Sequence, residues 1–554
     1  MDVDIDAVFK EIGEFGPYQK RIFFLLCLPV IFVGAGNLAQ VFIAASPKYR
    51  CLVPQCDTNI THPSYNEPFL NFTIPYNTED GSWDECHRYQ HLNDLQSCSP
   101  EDFSQNATEE CPEGKAFSQD IYISTIVTEF NLTCHDSWKA EMSQTIYFSG
   151  VLAGAFLFGI VADQIGRKST LVIAIIWMAV SGTVTALVAG LATLNSTRFF
   201  NAMMTTGVFQ TAFVLGLELV GASMRVPCGI IGEYFFALGE VLLSLLSWWQ
   251  RDWRMIQLLI SVPVSCFVFY AWLIPESPRW LQAQGKHQKA MAVLQKIARK
   301  NNKEIEPALE RQCTTGEGVN NIVRSKITFL DVLRSPVLCL RMFSMFFVWI
   351  VTTLVYYGLS LNATSFGHGD EEIRPFVDFI LSALVEIPGY TLAWLGMSFW
   401  GRKGSLMLSM ILAGLLCVGA GFSQEYSSQY LLALTLLGKC CITCAFGIIY
   451  VFTSEMFPTS VRSTVLGLCS TCARIGAMLA PFSDQLVYVY SPLPLLVFGG
   501  LALVAGLLNL VMPETLKTEL PDTIEEALSL GRCEALQVEV QTEEHEHLLS
   551  EEEA

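Results

Sequence analysis

Six ionisable side chains stand inside long apolar stretches of this sequence, where charged residues are otherwise rare. They are Glu233, Glu240, Asp378, Glu386, Lys439 and Arg474. A charge in an apolar run is costly unless it faces a partner, a cavity or a ligand. Glu233 and Glu240 are seven residues apart and fall on one face of a helix. These residues predict either a site for charged organic groups or a set of ion pairs that stabilises the protein.

Arg474 is the most informative of the six. It lies in the middle of an apolar run, in Cys472-Ala473-Arg474-Ile475-Gly476, too far from either end for its side chain to reach water easily. A guanidinium is a planar fork that binds a carboxylate through two parallel hydrogen bonds. Arg474 therefore predicts a carboxylate-binding position. A salt bridge to Glu240 or Glu386 is the structural alternative.

Long apolar stretches must position these residues. The 554 residues are 51% hydrophobic and only 16% charged, whereas about a quarter of a soluble domain is charged. A run of roughly twenty apolar residues crosses a bilayer as a helix. The sequence predicts an all-α polytopic membrane protein with twelve transmembrane helices near 22–43, 143–162, 170–190, 198–220, 227–248, 256–274, 342–361, 376–398, 405–422, 429–452, 464–489 and 493–512.

Basic residues predict which side of the membrane each segment faces. Pairs such as Arg167-Lys168 and Arg402-Lys403 fall on the same predicted side as the Lys- and Arg-rich segment between the sixth and seventh helices. Positive charge is retained on the cytoplasmic face. The predicted segments are a cytoplasmic N-terminus (1–21), an N-terminal six-helix half (22–275) with an extracellular loop (44–140), a cytoplasmic loop with an amphipathic helix (276–337), a C-terminal six-helix half (338–512) and an acidic cytoplasmic tail (513–554).

The loop 44–140 carries two marks of a non-cytoplasmic compartment. An even number of cysteines in an oxidising compartment predicts disulfides, whose pairing stays open. Asn-x-Thr sequons are acceptors for N-glycosylation. We therefore expect disulfides among Cys51, Cys56, Cys86, Cys98, Cys111 and Cys134, and glycans on Asn59, Asn71, Asn106 and Asn131.

Three short motifs occur twice, at a nearly constant offset of 235–238 residues. Each copy falls at the end of an equivalent predicted helix. This register predicts two six-helix pseudo-repeats, with a solute path between them. The paired motifs are Gly166-Arg167-Lys168 with Gly401-Arg402-Lys403, Glu218 and Arg225 with Glu455 and Arg462, and Pro275-Glu276-Ser277 with Pro513-Glu514-Thr515.

One motif resembles a known family signature. Gly159-x3-Asp163-x2-Gly166-Arg167-Lys168 is similar to the loop signature of the major facilitator superfamily. The resemblance implies a gate, in which Asp163 and the basic pair bridge helix ends in one conformation and separate in the other. In the second copy Ser398 replaces the acid, and Gln164 replaces a commonly basic residue in the first, so we expect a weaker gate. The expected gating residues are Asp163, Gly166, Arg167, Lys168, Glu218, Arg225, Gly401, Arg402, Glu455 and Arg462.

Over nearly its whole length the chain resembles the organic cation, anion and carnitine transporter family of that superfamily. Besides the cysteine-rich loop, the resemblance is carried by GEFGPYQ at 13–19, STIVTEFNL at 124–132, DWR at 252–254, PESPRWL at 275–281, LVEIP at 384–388 and EMFPT at 455–459. This family moves small organic ions across membranes by alternating access, which is the expected function.

The resemblance also implies a substrate site. Cation-selective members of the family have an acid at the position of Arg474, whereas anion and carnitine members have arginine. Aromatic residues at matching positions are expected to line the cavity, where they can stack on an ammonium group. Carnitine-like zwitterions and organic cations are the expected substrates, and organic anions are the alternative. The expected substrate-binding residues are Arg474, Trp349, Tyr356, Tyr357, Glu386, Glu240 and Lys439.

Other functional classes are less well supported. The net charge of −19 comes from loops and the tail, and no basic face for a nucleic acid emerges. The chain has no Gly-x4-Gly-Lys-[Ser/Thr] or paired metal-binding motif, so we expect no enzyme activity, metal or cofactor. A receptor or adhesion protein that uses the glycosylated loop is the alternative from another class, although it would not need the duplicated gate motifs.

Expected partners and location complete the interpretation. The partners are a small organic ion, the lipid bilayer, and either a coupling ion (Na⁺ or H⁺) or an exchanged solute. The family's usual location predicts the plasma membrane. In the acidic tail, Glu544 followed by Leu548-Leu549 fits an acidic dileucine sorting signal, which predicts adaptor binding and endosomal cycling. A chance match in a charge-rich tail is the alternative.

Overall fold

In the residues that the structure describes, twelve helices are long and apolar enough to cross a membrane. The computed structural model describes residues 5–57, 63–77, 82–92, 97–305, 329–364, 372–423, 428–487, 489–516, 518, 521 and 523–530. The helices coincide with the twelve predicted apolar stretches, so the predicted polytopic membrane fold is confirmed. Their bounds are α1 Pro17–Ile43, α2 Cys134–Ile165, α3 Arg167–Leu187, α4 Leu191–Glu218, α5 Ala222–Gln250, α6 Trp253–Leu273, α7 Pro336–Leu361, α8 Arg374–Phe399, α9 Arg402–Ser423, α10 Ser428–Met456, α11 Thr464–Val487 and α12 Leu493–Val511.

Both halves of the chain pack their six helices in the same pattern. In the N-terminal half α2 and α3 each pack against α4, and α1 packs against α5. In the C-terminal half α8 and α9 each pack against α10, and α7 packs against α11. Each contact therefore has a counterpart six helices later, as two pseudo-repeats require.

Glycines permit the closest helix contacts in both halves. A Cβ added at Gly239 on α5 would lie 2.0 Å from the carbonyl oxygen of Ile31 on α1. A Cβ added at Gly476 on α11 would lie 2.2 Å from the carbonyl oxygen of Ile350 on α7. Only glycine allows such an approach between helix backbones. The two glycines stand 237 residues apart, so they form a further pair at the repeat spacing.

The chain between α1 and α2 forms a disulfide-bonded unit on one face of the bundle, which we call the loop face. Three disulfides join Cys51 to Cys111, Cys56 to Cys98 and Cys86 to Cys134. Because α2 begins at Cys134, the last residues of the predicted loop 44–140 belong to a helix. The strands β1 Tyr49–Cys51, β2 Tyr76–Asn77, β3 Ser82–Trp83, β4 His87–His91, β5 Phe103–Glu110 and β6 Lys115–Phe117 pair antiparallel as β1–β6, β2–β3 and β4–β5.

Two segments that carry the family resemblance meet at the loop face. The short helix Ile126–Phe130 presents Glu129, which accepts a hydrogen bond from Trp253 Nε1 at 2.8 Å. Arg254 forms an ion pair with the same carboxylate and donates to the carbonyl oxygens of Ala186 and Val188 at 2.6 and 2.8 Å. These bonds fasten the disulfide-bonded unit to the ends of α3 and α6.

The opposite face, which we call the terminal face, carries the N-terminal helix and the segment that connects the two halves. Its amphipathic segment forms the helix His287–Lys300, whose apolar residues Met291, Leu294 and Ile297 are buried. The other short helices on this face are Ile5–Ile12, Pro278–Ala283, Phe329–Arg334 and Ile524–Ser529.

Candidate functional site

Lys439 is the centre of a buried charge cluster at the interface between the halves. Its Nζ lies 2.9 Å from Glu386 Oε1 and 3.6 Å from Glu240 Oε2, and it donates to Ser382 Oγ at 2.9 Å. The side chains of Lys439, Glu240 and Glu386 are at most 1% exposed. Glu240 comes from α5 in the N-terminal half, whereas Glu386 on α8 and Lys439 on α10 belong to the C-terminal half.

Tyr356 on α7 completes this cluster. Its hydroxyl donates to Glu386 Oε1 at 2.8 Å and to Glu240 Oε1 at 3.4 Å. Lys439 Nζ lies 5.6 Å from the centre of the Tyr356 ring. We call Glu240, Tyr356, Glu386 and Lys439 the charge cage. Two carboxylates and an aromatic ring around one nitrogen form the kind of surface that binds ammonium groups.

Arg474 does not form the salt bridge to Glu240 or Glu386 that was the structural alternative. Glu240 and Glu386 bond to Lys439 instead, and no carboxylate among the described residues lies within ion-pair distance of Arg474. Its Nε is buried and has no hydrogen-bond partner in the described part of the chain. Tyr357 and Tyr450 lie near Arg474. Arg474 is therefore an intramembrane cation with no acidic partner in the described part of the chain, beside two aromatic residues.

Aromatic residues pack beside the charge cage. Tyr356 stacks on Phe446 with ring centres 5.4 Å apart, and Tyr357 lies 4.6 Å from Phe148 of the other half. Trp349 is 1% exposed and donates from Nε1 to Thr453 Oγ1 at 3.0 Å, so packing holds this predicted cavity residue in place.

Two further aromatic residues on α10 were absent from the sequence prediction. Tyr450 contacts Trp349 with ring centres 4.4 Å apart, and Phe446 lies between Tyr450 and Tyr356. Their spacing from Lys439, seven and eleven residues, places all three on one helix face. That spacing was the signal by which the sequence alone would have found them.

Contacts near the loop face join the two halves. The rings of Phe42 and Phe376 stack 5.4 Å apart, and Ser244 Oγ donates to the Phe376 carbonyl oxygen at 2.8 Å. Thr145 Oγ1 donates to the Met478 carbonyl oxygen at 2.9 Å. The structure is therefore closed at the loop face, with the charge cage directly below this closure.

Charged residues predicted to form the gate meet at the terminal face. Arg167 lies 2.9 Å from Asp163 and 3.3 Å from Glu218, and Arg402 lies 3.0 Å from Glu455 in the other half. Asp163 is 74% exposed, whereas Glu218 and Glu455 are mostly buried. The Arg–Glu pair thus occurs in both halves.

Glutamates from the third repeated motif cap the helices that follow the gate. Glu276 accepts the Lys168 backbone N–H at 3.0 Å, and Glu514 accepts those of Arg402 and Lys403 at 2.8 and 3.1 Å. A carboxylate is favourable at a helix N-terminus because the unpaired N–H groups there carry partial positive charge.

Glycines make room for these two caps. Gly166 and Gly401 have φ angles of +102° and +82°, a region that favours glycine. A Cβ on either would lie 2.4 Å from an oxygen of the capping carboxylate.

Arg225, another predicted gate residue, has a partner that sequence reasoning missed. Asp6 in the N-terminal helix lies 2.8 Å from Arg225 and 2.6 Å from Arg279. Burial acts to raise the pKa of Asp6, but hydrogen bonds and the charges of both arginines outweigh it and hold this pKa below its ordinary value. Arg462, the counterpart of Arg225, lies just before the span α11, in the first turn of the helix Thr459–Leu479 that continues into it.

The remaining predicted sites lie on loops or outside the described residues. Asn71, Asn106 and Asn131 are exposed on the disulfide-bonded unit. Asn59 and the Leu548-Leu549 pair lie outside the described residues.

Comparison with known proteins identifies the family. The model for the sugar (and other) transporter family matches residues 104–525. An organic cation transporter protein of Drosophila melanogaster is 36% identical over 544 residues, which cover 96% of each chain. The organic cation/carnitine transporter 2 of Homo sapiens is 34% identical over 548 residues, which cover 95% of this chain and 94% of the relative.

Solved structures show the same fold at low sequence identity. The xylose transporter XylE from E. coli, in a partially occluded inward-open conformation, matches with a TM-score of 0.61 at 14% identity and covers 91% of this chain and 100% of its own. XylE bound to 6-bromo-6-deoxy-D-glucose matches with a TM-score of 0.59 at 15% identity, covering 93% and 99%. The chain has the major facilitator fold, and it belongs to the sugar (and other) transporter family and, within it, to the organic cation and carnitine transporters.

Proposed function

We propose that this chain transports small zwitterions that combine an ammonium group with a carboxylate, such as carnitine-like quaternary ammonium compounds. Transport occurs by alternating access between the two halves and leaves the solute chemically unchanged. The observation that carries the proposal is Arg474, a cation at mid-membrane with no ion pair to a described carboxylate. A buried charge of this kind is costly until a counter-charge arrives. The carboxylate of the substrate supplies that counter-charge.

The ammonium end of the substrate has a matching surface in the charge cage. Its two carboxyl groups offer hydrogen-bond and ion-pair acceptors, and the Tyr356 ring offers a cation–π contact. The name of the human relative, an organic cation/carnitine transporter, agrees with a substrate that carries both charges.

Uptake into cells that express the chain tests the proposal. Labelled carnitine carries both charges, whereas p-aminohippurate probes the carboxylate alone and tetraethylammonium the cation alone. We expect Arg474→Gln to lower carnitine uptake about 10- to 100-fold, because a hydrogen bond to a charged group contributes about 1.5–3 kcal/mol. Tetraethylammonium uptake should be retained, and surface biotinylation should match the wild type. Carnitine uptake that survives Arg474→Gln would contradict the proposed role.

Organic anion transport is the second candidate. Two intramembrane cations, Arg474 and Lys439, favour it over a transporter for cations alone. Wild-type uptake of p-aminohippurate that exceeds uptake of both ammonium compounds would support this candidate. A chain that reaches the surface and moves none of the three probes would instead fit a receptor or adhesion role.

The orientation in the membrane follows from the loop. We place the loop face outside the cell, with both termini in the cytoplasm and the protein in the plasma membrane. Three disulfides and the exposed sequons Asn71, Asn106 and Asn131 support this orientation. Glycosidase digestion of intact cells should increase the mobility of the protein on a gel. A surface-biotinylated protein with no glycan on Asn71, Asn106 or Asn131 would contradict this orientation.

Coupling and trafficking complete the proposal. Either Na⁺ or H⁺ is co-transported, or an internal solute is exchanged; removal of sodium, a proton ionophore and trans-loading with substrate distinguish the three. We further propose that Leu548-Leu549 bind a sorting adaptor and direct endosomal cycling. Changing both leucines to alanine should raise the biotinylated surface fraction. An unchanged fraction would show that the motif is a chance match in a charge-rich tail.

A further inference from the structure

The charge cage already contains a cation, and that cation belongs to the protein. Lys439 Nζ contacts one carboxylate from each half, at 2.9 Å from Glu386 and 3.6 Å from Glu240, and stands over the Tyr356 ring. The same three groups would surround the ammonium group of a substrate. The Lys439 ammonium therefore occupies the position where the substrate cation would bind.

Glu240 makes the cage dependent on the conformation of the whole protein. It is the one member of the cage that belongs to the N-terminal half. The halves meet at the loop face, through pairs such as Phe42 with Phe376 and Thr145 with Met478. Opening the loop face would draw Glu240 away from the other members, and closing it would bring two carboxylates together in a buried site.

We propose that Lys439 is a tethered substitute for the substrate cation. It neutralises Glu240 and Glu386 whenever the empty carrier closes its loop face. In the loaded carrier, the ammonium group of the substrate takes over this role, and Lys439 is displaced from one or both carboxylates. The inference rests on the proposed function and on the loop face being outside. It assigns Lys439 to the return step of the empty carrier, which the proposed function leaves open.

Removal of the lysine charge should affect the empty and the loaded carrier differently. Lys439→Gln keeps a long polar side chain but leaves no cation in the cage. An empty carrier would then have to bring Glu240 and Glu386 together unneutralised, and an uncompensated charge in a buried site is strongly unfavourable. A loaded carrier still closes, because the substrate supplies the cation.

Efflux from preloaded cells separates these two steps. During efflux into substrate-free medium, every transport cycle requires the empty carrier to close its loop face after it has released substrate outside. With unlabelled carnitine outside, the loaded carrier makes that step instead. We expect Lys439→Gln to lower the ratio of labelled-carnitine efflux into substrate-free medium to efflux into carnitine-containing medium about 10-fold or more. Lys439→Arg keeps the charge and should preserve the wild-type ratio of the two rates.

A second variant keeps the test decisive if Lys439→Gln does not reach the surface. Lys439→His supplies a cation only when the imidazole is protonated. In Lys439→His, the ratio of efflux into substrate-free medium to efflux into carnitine-containing medium should rise as the pH falls. This rise should be steeper than in the wild type, which controls for titration of Glu240, Glu386 and Tyr356 around the site. A wild-type ratio in Lys439→Gln, or no additional pH dependence in Lys439→His, overturns the inference alone. A wild-type carrier that moves no ammonium compound overturns the proposed function, and this inference with it.

Discussion

Arg225 forms its ion pair with Asp6, 2.8 Å away, rather than with Glu218 of its own repeated motif. Glu218 contacts Arg167 instead, at 3.3 Å. Asp6 also lies 2.6 Å from Arg279, which follows α6. One carboxylate of the N-terminal helix thus links the start of α5 to the segment after α6, and we propose that this helix is part of the gate.

Asp6→Asn should therefore lower the maximal transport rate about 2- to 5-fold, the scale of a partly exposed ion pair, and leave KM nearly unchanged. Because the pKa of Asp6 is lowered, its pairs are present above the pKa of the unfolded chain and are lost as the pH falls through the folded value. Concentration-dependent uptake measures both constants. Lys10→Gln, at an exposed position of the same helix, is the control. A maximal rate equal to the wild type in Asp6→Asn would exclude the helix from gating.

The glutamate caps give a second prediction. Glu276→Gln and Glu514→Gln keep the side-chain size but remove the negative charge from the N-termini of α3 and α9. Each should reduce the maximal transport rate about 5-fold, since a cap contributes about 1 kcal/mol. The exposed Glu304→Gln provides a control on the same face. Equal rates in all three variants would show that the caps do not affect turnover.

Solvent exposure predicts the order in which substitutions at Asp163, Glu218 and Arg167 lower the transport rate. Asp163 is 74% exposed, so water screens its bond to Arg167, whereas Glu218 is 18% exposed. Glu218→Gln should lower turnover more than Asp163→Asn, and Arg167→Gln, which loses both partners, should lower it most. KM should change less than the maximal rate in each case. An Asp163→Asn variant that is as slow as Arg167→Gln would reverse this ranking and assign the main role to the exposed bond.

The disulfide pairing is testable without transport. Mass mapping of non-reduced peptides should recover Cys51–Cys111, Cys56–Cys98 and Cys86–Cys134. None of these six cysteines should react with a thiol reagent before reduction. Free thiols at most of the six would contradict both the pairing and the outside location of the loop.

Helix positions were predictable because each depends on a local property, a run of apolar residues about as long as a bilayer is thick. The repeat was predictable because its motifs recur at fixed spacing. The partner of Lys439 was not. From the sequence, Glu240 and Glu386 could equally well pair with Arg474 or with Lys439. Only the packing of α5, α8 and α10 brings both glutamates to the lysine.

Asp6 illustrates the same limit at longer range. Its partners Arg225 and Arg279 are more than 200 residues away, and nothing in their spacing indicates the contact. The available signal was the amphipathic pattern of IDAVFKEI, whose Ile5, Val8, Phe9 and Ile12 are buried. That pattern predicts docking of the segment but does not identify where it docks.

The pairing of β1 with β6 has a consequence for how this protein can change over time. Tyr49 lies opposite Phe117, so the chain leaves the bundle and returns to it at neighbouring points. Outer turns between these strands that carry none of the bonded cysteines can therefore be lengthened or shortened without altering the distance between α1 and α2. Such turns are suitable places for an affinity tag.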